Sequence, residues 1–510
     1  MHALRHVLIF AVVLFLLPPA FGQEGRSDAA IAPAAAPPPN VIFIMADDLG
    51  YREVGAFGQQ KILTPNLDRL ATEGMMLTRH YSGSAVCAPT RAILMTGKHA
   101  GHSPIRGNRE GGGWGPEAPE GQHPLPAEEV TIAEIFKSRG YATGAFGKWG
   151  LGGPGSDGHP CFQGFDHYYG YLCQRVAHNY YPTHLWRNHD VDVLHNNRYF
   201  SAHQKIAEPL ESEAAYAERF AGGDYAPEEI ITELLGWMRA QHEQHPDTPQ
   251  FVYYPTVIPH LALQVPQEWV DMYPRAWDET PYLGDKGYLP HPRPLAAYAG
   301  MISYMDHNVG RILDLLDELG MAENTIVVFT SDNGASYVGG VDREFFDSHG
   351  DLRGHKGQLW EGGIRMPTIV RWPGRVAAET RSDIVSYHPD WLPTLAEAIG
   401  AEYPTGLDGL SLLPALTGGQ HQDRHEFLYW EFPEGGQQQA LIFGENGRWK
   451  AIRPALRKNP DRFELYDLLA DPGETSNIAP DHPEQVAFAR RVFEREHTPN
   501  RLFPIDALDK

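Results

Sequence analysis

The run Cys87-Ala88-Pro89-Thr90-Arg91 places a potential nucleophile at the start of a predicted helix. Pro89 suits the first helical turn, where its missing N–H costs nothing, and Gly97 follows the last apolar turn as a stop. Free backbone N–H groups and the positive end of the helix dipole favour a bound oxyanion there. The run therefore predicts an anion site next to Cys87. A small buried cysteine that begins a helix is the alternative from these residues alone.

Two pairs of oxygen-bearing side chains each follow an apolar run of strand length. Asp47-Asp48 comes directly after residues 41–46, and Asp332-Asn333 comes two residues after the run 325–330. Adjacent carboxylates repel each other unless a cation holds them, and hard oxygen ligands suit Ca²⁺ or Mg²⁺ rather than Zn²⁺. A turn or a cap is the alternative for either pair alone. Because both pairs stand at strand ends, we predict a divalent-cation site.

Three further candidates lie in comparable segments. Lys148 comes two residues after the run 141–146, His260 comes two residues after the run 251–258, and Lys356 lies in a glycine-rich segment. Each alone would be a solvated lysine or a structural histidine. The loops that follow the carboxyl ends of parallel strands share one edge of a sheet, so we predict that these side chains converge with the carboxylates.

Apolar runs of strand length alternate with amphipathic helices through most of the chain. The run 41–46 has no polar break, which is typical of a strand buried on both faces, and 299–319 has apolar residues at helical spacing before Gly320. This alternation predicts an α/β fold with a large, mixed but mostly parallel sheet sandwiched by helices. The predicted catalytic domain covers residues 40–395.

The composition and the pattern of apolar residues change after residue 395. Short strand-like runs at 427–432, 440–443 and 449–452 are separated by segments rich in glycine and glutamine, and an amphipathic helix is predicted over 482–496. We predict that residues 396–510 form a smaller α+β domain with antiparallel strands.

The composition excludes some partners. Among 510 residues, 42 Lys and Arg stand against 65 Asp and Glu, a formal net charge of −23, so nucleic acid is not an expected partner. An apolar run over 7–17 and small residues near 20–22 predict a signal peptide over 1–22, followed by an Ala/Pro-rich tether over 23–39. We expect an exported protein, periplasmic or extracellular, with no membrane attachment after signal removal.

The motifs together resemble those of the sulfatase family in the alkaline phosphatase superfamily, over nearly all of residues 40–480. The resemblance leans toward arylsulfatases and N-acetylgalactosamine-6-sulfatases. It implies an alkaline phosphatase-like fold and hydrolysis of sulfate monoesters. The segments that carry it are Asn40 to Asp48, Cys87-x-Pro89-x-Arg91, Gly140 to Trp149, Thr330 to Gly334, Gly357 to Pro367 and Phe463 to Glu474.

This resemblance also implies a cofactor, a maturation partner and residue roles. A formylglycine-generating enzyme would oxidise Cys87 to Cα-formylglycine, whose hydrate attacks sulfur with one hydroxyl and later expels sulfate with the other. One divalent cation, Ca²⁺, would be bound by that residue and by four side chains: Asp47, Asp48, Asp332 and Asn333. The remaining roles would be fixing the hydrate (Arg91), binding sulfate oxygens (Lys148 and Lys356) and protonating or hydrogen-bonding the leaving alcohol (His260).

Two other functions stay open. A phosphoryl hydrolase of the same superfamily would ordinarily use an unmodified Ser or Thr and two zinc ions with several His and Asp ligands. A non-catalytic protein that binds sulfated glycans would keep the shell of the site, with Cys87 unoxidised.

The substrate prediction rests on a segment rich in aromatic residues. Residues 162–200 contain ten aromatics in 39 positions, against 11 % in the whole chain. Aromatic faces suit sugar rings, although a loop packed onto the core is an equal alternative. Because Arg106 and Arg109 lie near the predicted helix in sequence, we expect a sulfated saccharide, or else an aryl sulfate, as the substrate.

One position departs from the pattern of the family. Many sulfatases have histidine after Gly-Lys-Trp and are thought to use it in sulfate expulsion, whereas this chain has Gly150. Water could accept the proton there, or a histidine from elsewhere could fill the space. We nominate His178, with His102 as the second choice, to act as the base.

The last sequence prediction concerns the other two cysteines. If Cys87 is oxidised, Cys161 and Cys173 remain as an even pair in an exported protein. We predict that they form a disulfide, with two unpaired thiols as the alternative from spacing alone.

Overall fold

The computed structural model describes residues 37–113 and 120–509. Contacts group Pro38–Lys510 into one compact unit. The predicted signal peptide, and the predicted tether up to residue 36, lie outside the described residues. Within the described ranges, every helix is too short or too polar to cross a membrane.

Strands and helices alternate along the catalytic part of the chain. The strands are β1 (Asn40–Ala46), β2 (Met75–Leu77), β3 (His80–Tyr81), β4 (Ala142–Lys148), β5 (His167–Tyr171), β6 (His184–Arg187), β7 (Asp190–Val193), β8 (Gln250–Pro255), β9 (Thr325–Ser331), β10 (Thr368–Arg371), β11 (Thr380–Ser382), β12 (Ser386–Tyr387), β13 (Phe427–Phe432), β14 (Gln438–Phe443), β15 (Trp449–Arg453) and β16 (Glu464–Asp467). The helices are α1 (Pro65–Thr72), α2 (Cys87–Thr96), α3 (Ile132–Ser138), α4 (Glu213–Phe220), α5 (Ala226–Gln244), α6 (Gln267–Val270), α7 (Pro294–Glu318), α8 (Arg343–Phe346), α9 (Glu361–Ile364), α10 (Trp391–Ala398), α11 (Leu413–Thr417) and α12 (Pro483–Glu496).

The large sheet has ten strands in the order β11-β2-β10-β9-β1-β8-β4-β5-β6-β7. Its central strands, from β9 through β1, β8 and β4 to β5, are parallel, and β10, β6 and β7 are antiparallel to their inner neighbours. Val41 of β1 stands opposite Phe251 on one side and Ile326 on the other. This architecture confirms the predicted α/β class with a mixed, mostly parallel sheet.

Alternate residues of β1 pack on opposite faces of the sheet. Ile42 and Ile44 belong to a core that includes residues of α5 and α7, whereas Val41 and Phe43 belong to a core with residues of α2, α3 and α10. Helices therefore cover both faces, which is why residues 41–46 of β1 are all apolar.

A second sheet contains β13-β14-β15-β16, all antiparallel. One face packs against α12, with Leu441 and Phe493 in a shared core. On its other face, buried Lys450 bonds Glu361 Oε1 at 3.0 Å and Glu474 Oε1 at 2.9 Å, which ties β15 to the start of α9. The predicted boundary after residue 395 lies inside α10, and the division into two domains stays a prediction.

The disulfide prediction is wrong, because Cys161 and Cys173 are both free thiols. Cys161 Sγ lies 3.7 Å from Asn188 Oδ1, and Cys173 Sγ accepts from Gln122 Nε2 at 3.9 Å. The two sulfurs pack in different surroundings, so an even cysteine count did not imply a bond.

Candidate active site

The central parallel strands bring the candidate side chains to one edge of the large sheet. Asp47 and Asp48 follow β1, Asp332 and Asn333 follow β9, Lys148 ends β4, and His260 lies in the loop after β8. Cys87 begins α2, after Val86 in an extended conformation. Asp48 has φ 70°, in the left-handed region, where strained residues often mark functional sites.

Cys87 lies against the carboxylates. Its thiol donates to Asp47 Oδ1 at 3.3 Å, and its Sγ is 4.0 Å from Asp48 Oδ1. Burial and the negative charge of Asp47 raise the pKa of the Cys87 thiol well above its usual value. A cysteine that attacks as a thiolate needs a lowered pKa, so the unmodified side chain is a poor nucleophile in this position.

Each carboxylate is paired with a cation. Lys148 Nζ bonds Asp47 Oδ2 at 2.6 Å, and Lys356 Nζ bonds Asp48 Oδ2 at 2.7 Å. Arg91 Nη2 bonds Asp332 Oδ2 at 2.9 Å and lies 3.4 Å from Asp47 Oδ2. The guanidinium of Arg91 also donates to the Lys148 carbonyl, so it fixes the end of β4 against the carboxylates.

The charges shift the pKa values of these groups in opposite directions. Burial alone would raise the pKa of Asp47, but Lys148 and other nearby cations bring it well below its usual range. Burial and the charge of Asp47 raise the pKa of Asp332 to about 7. Burial would lower the pKa of Lys356, but Asp48 raises it well above its usual value.

The donor set fits a hard divalent cation. Asn333 Nδ2 donates to Asp48 Oδ1 at 2.7 Å, while Asn333 Oδ1 is buried with no hydrogen-bond partner. An unpaired buried carbonyl oxygen costs free energy unless something binds it. Ligand atoms of Asp47, Asp48, Cys87 and His260 also lie within 4.8 Å of one another. Carboxylate and amide oxygens around such a point are the ligands that Ca²⁺ and Mg²⁺ prefer.

His260 points one nitrogen at this cluster. Its Nδ1 donates to the Leu261 carbonyl at 2.6 Å, which leaves Nε2 3.7 Å from Asp48 Oδ2. Burial and the charges of Lys356 and Lys148 lower the pKa of His260 to about 3.

His178 packs against His260, and its nomination as the base stays a prediction. The two rings stack with centroids 4.7 Å apart, and His178 Nδ1 is 3.0 Å from His203 Nε2. The space over Gly150 is taken by Gln174: a Cβ added at Gly150 would lie 2.5 Å from Gln174 Nε2. The prediction that a histidine fills this space is therefore corrected in favour of an amide, whose Nε2 is buried without a partner.

His102 and Arg106 belong to other contacts. His102 Nδ1 bonds Asp408 at 3.0 Å, and its ring stacks on His99 with centroids 4.1 Å apart. Arg106 is buried, donating to the Ser103 and Gly101 carbonyls and to Glu431. Both side chains connect the loop after α2 to the C-terminal part of the chain, so these contacts do not bring His102, the second choice for the base, or Arg106, the substrate candidate, to the carboxylate cluster.

The aromatic segment packs mainly inward. Tyr168, Tyr169, Tyr171 and Tyr180 are buried, which supports the core-packing alternative for them. A cavity of about 580 Å³ instead opens beside Lys356, with Tyr288, Tyr337 and Glu434 in its wall. No sequence motif pointed to Gln174 or to these three residues, because loops distant in the chain bring them to the site.

The comparisons with known proteins agree with this geometry. The profile of the Sulfatase family matches residues 39–401, and that of the N-sulphoglucosamine sulphohydrolase C-terminal region matches residues 353–495. The chain belongs to the sulfatase family. It is a sulfuric ester hydrolase, as the resemblance predicted.

Three similar proteins show the extent of the match. Mouse (Mus musculus) steryl-sulfatase is 32% identical, over 89% of this chain and 81% of its own length. Human (Homo sapiens) arylsulfatase A is 30% identical, over 87% of this chain and 84% of its own. The solved structure of Ps i-CgsB in complex with k-i-k-neocarrahexaose is 26% identical, with TM-score 0.70, and covers 90% of this chain and 92% of that one.

Proposed function

We propose that this sulfatase acts through Cα-formylglycine formed from Cys87, with one Ca²⁺ held by Asp47, Asp48, Asp332 and Asn333. The observation that carries the proposal is the state of the Cys87 thiol. It stands at the start of α2 with its Sγ 3.3 Å from Asp47 Oδ1, and burial and the charge of Asp47 raise the thiol pKa, which makes the unmodified side chain a poor nucleophile. Oxidation to the aldehyde, through its hydrate, would supply a hydroxyl nucleophile that does not depend on thiol ionisation.

The bound cation would offset negative charge on the sulfate oxygens. The residues of the chain would do the rest. Lys148 and Lys356, both held at the carboxylate cluster, would bind sulfate oxygens, and Arg91 would hold Asp47 and Asp332 in place. His260, held through Nδ1–H by the Leu261 carbonyl, would bind a proton at Nε2 and donate it to the leaving oxygen, because a bound sulfate group would offset the charges of Lys356 and Lys148 that, with burial, lower its pKa.

We further propose that the substrate is a sulfated carbohydrate and that the protein is exported. The carbohydrate is supported by the similarity to Ps i-CgsB, solved with k-i-k-neocarrahexaose, and by the aromatic walls of the cavity beside Lys356. Export is supported by the sequence of residues 1–22 alone. Protein recovered from the periplasm or the medium should therefore have its N-terminus near residue 23. An intact Met1 in that protein would contradict the predicted signal peptide.

The central test is mass spectrometry of the peptide that contains Cys87, from protein made with a formylglycine-generating enzyme. We expect an aldehyde in place of the thiol, with sulfate release proportional to the converted fraction. Cys87→Ala should abolish sulfate release, and Cys161→Ser, the matched change at a cysteine outside the cluster, should not.

Two results would redirect the proposal. Full activity of protein that carries only an intact thiol at Cys87 would refute the formylglycine mechanism. Two zinc ions per chain with high phosphatase activity would favour the phosphoryl hydrolase. A panel of sulfated sugars, 4-nitrophenyl sulfate and a steroid sulfate would identify the alcohol, and a preference for the steroid would overturn the carbohydrate assignment.

A further inference from the structure

The cavity of about 580 Å³ beside Lys356 adjoins the start of α2, because Val86, the residue before Cys87, is in its wall. Its volume lies in the range of small-molecule sites. A substrate whose sulfate group is held at Cys87 and Lys356 would therefore direct its alcohol part into this space.

Two tyrosines, Tyr288 and Tyr337, line this cavity. Tyr337 is 50% exposed, and its ring lies on that of His355 with centroids 4.2 Å apart. Tyr288 has φ 65°, a left-handed conformation that is uncommon for a bulky residue and often marks a functional position. Imidazoles support the Tyr288 ring, with centroid distances of 5.2 Å (His178), 4.6 Å (His203) and 5.8 Å (His260).

The charge of the cavity is unusual for a site that takes sulfated compounds. Among the described residues in its wall, the basic side chains are Lys356, which is bonded to Asp48, and His355. Burial lowers the pKa of His355, which favours the uncharged form of its ring. No other described wall residue has a side chain that could carry a positive charge opposite a second anionic group of a substrate.

An acidic side chain stands in the same wall. Glu434 packs on the loop after α2, since a Cβ added at Gly107 would lie 2.6 Å from Glu434 Oε1. In that loop, Asn108 Oδ1 accepts from Ala88 N at 2.9 Å, next to Cys87. A carboxylate here can accept hydrogen bonds from sugar hydroxyls and repels a second sulfate.

We propose that this cavity is the subsite for the alcohol part of the substrate and that it takes a neutral sugar ring carrying a single sulfate. The inference rests on the proposed function and narrows it from sulfated carbohydrate to monosulfated sugar. Tyr288 and Tyr337 contact the ring faces, and Glu434 binds hydroxyls and selects against further anionic groups. The net charge of −23 also repels substrates with several negative charges at long range.

The first experiment compares kcat/KM for matched sugars that carry one or two sulfates, such as galactose 6-sulfate with galactose 2,6-disulfate, across sulfated positions of galactose and N-acetylgalactosamine. We expect wild type to prefer the monosulfated member at least tenfold. Glu434→Lys should reduce that preference at least tenfold. Glu434→Gln should show a preference between those of wild type and Glu434→Lys. Glu208→Lys, the same charge change at an exposed site, should leave it unchanged. A preference for disulfated sugars, or one insensitive to residue 434, would overturn the proposal.

The second experiment tests the aromatic wall. Tyr337→Ala should raise KM for the best monosulfated sugar about tenfold while changing kcat less than threefold, because ring stacking is lost but the reacting groups stay in place. Tyr403→Ala, the same change at an exposed tyrosine elsewhere, should change neither. Equal KM values for Tyr337→Ala and wild type would contradict the assigned wall.

Binding separates this inference from the proposed function. Cys87→Ala protein is titrated by calorimetry with the same monosulfated sugars, with and without Tyr337→Ala. Binding that depends on Tyr337, together with no hydrolysis of any sulfate ester by matured wild type, would retain the subsite and refute the proposed function. Hydrolysis of 4-nitrophenyl sulfate with no binding or turnover of any monosulfated sugar would do the reverse.

Discussion

Glu53 makes a pH-dependent contribution to stability that can be isolated by one substitution. Its carboxyl group is buried, with Oε1 accepting from Tyr298 Oη at 2.8 Å and Ser348 Oγ at 2.6 Å, and Oε2 accepting from Gly50 N at 2.6 Å. Burial raises the pKa of Glu53 from 4.5 to about 7, and these hydrogen bonds only partly oppose it. The folded protein therefore binds this proton more tightly than the unfolded chain does.

The sign and size of the effect follow from linkage. The stabilising contribution is present below pH 4.5 and is lost as the pH rises to about 7, because the folded state must then bury a charged carboxylate. At about 1.4 kcal/mol per pH unit, this range corresponds to about 3 kcal/mol. Glu53→Gln removes the titration and can keep the contacts: the amide N–H₂ can donate to the two hydroxyl groups, while the amide oxygen accepts from Gly50 N.

The assay is urea unfolding at pH 4.5 and pH 8, with saturating Ca²⁺ in both buffers. We expect the free energy of unfolding of Glu53→Gln, measured relative to that of wild type, to be about 3 kcal/mol higher at pH 8 than at pH 4.5. Glu208→Gln, the same change at an exposed residue, should show no such gain. If wild type and Glu53→Gln change in parallel across this range, the inference that Glu53 titrates with a raised pKa is refuted.

Three further changes test other parts of the structure. Lys450→Met leaves Glu361 and Glu474 buried without their shared cation and should lower the free energy of unfolding by about 3–5 kcal/mol. Lys98→Met, which breaks a partly exposed pair with Glu129, should lower it by less than about 1 kcal/mol. Similar losses in the two variants would contradict the role of Lys450. Gly150→Ala adds a Cβ that clashes with Gln174 at a backbone φ of 77°, so it should lower the free energy of unfolding by about 2 kcal/mol or more. Gly140→Ala, at φ 79° with open space around the Cβ, should lower it by about 1 kcal/mol. Adding Gln174→Ala to Gly150→Ala should remove the difference between the two losses. Asn333→Ala should weaken Ca²⁺ binding at least tenfold by calorimetry, whereas unchanged affinity, as expected for the exposed Asn196→Ala, would remove Asn333 from the ligand set.

Regular elements were predicted well where burial alone fixes the pattern. The strand Phe427–Phe432 has the predicted bounds, and the predicted helix 482–496 differs from Pro483–Glu496 by one residue. The helix predicted over 299–319 begins earlier, at Pro294, because proline suits the first turn and the added residues also pack into the core. The four-residue strand Glu464–Asp467 was missed, since so short a run has too little pattern to identify it.

At the site, sequence reasoning worked for residues whose place follows from the topology. Asp47, Lys148 and Asp332 stand at or just after the carboxyl ends of parallel strands of one sheet, so their convergence at one edge followed from the predicted parallel sheet. Gln174 and Glu434 come from connecting loops, whose path depends on tertiary packing. Position in the sequence near α2 was misleading for Arg106, because its guanidinium turns away to bind Glu431.

The ion pairs suggest how the cation and the sulfate would depend on each other. Asp47 Oδ2 is bonded by Lys148, and Asp48 Oδ2 by Lys356, yet both carboxylates belong to the proposed ligand set of the cation. An ammonium group and a divalent cation compete for the same oxygens, so cation binding weakens these pairs and makes Lys148 and Lys356 available to an anion. Sulfate held by those lysines in turn removes competitors of the cation. The two ligands are therefore expected to bind with positive coupling, and linkage makes that coupling reciprocal. One set of charged side chains would thus hold the metal and recognise the substrate.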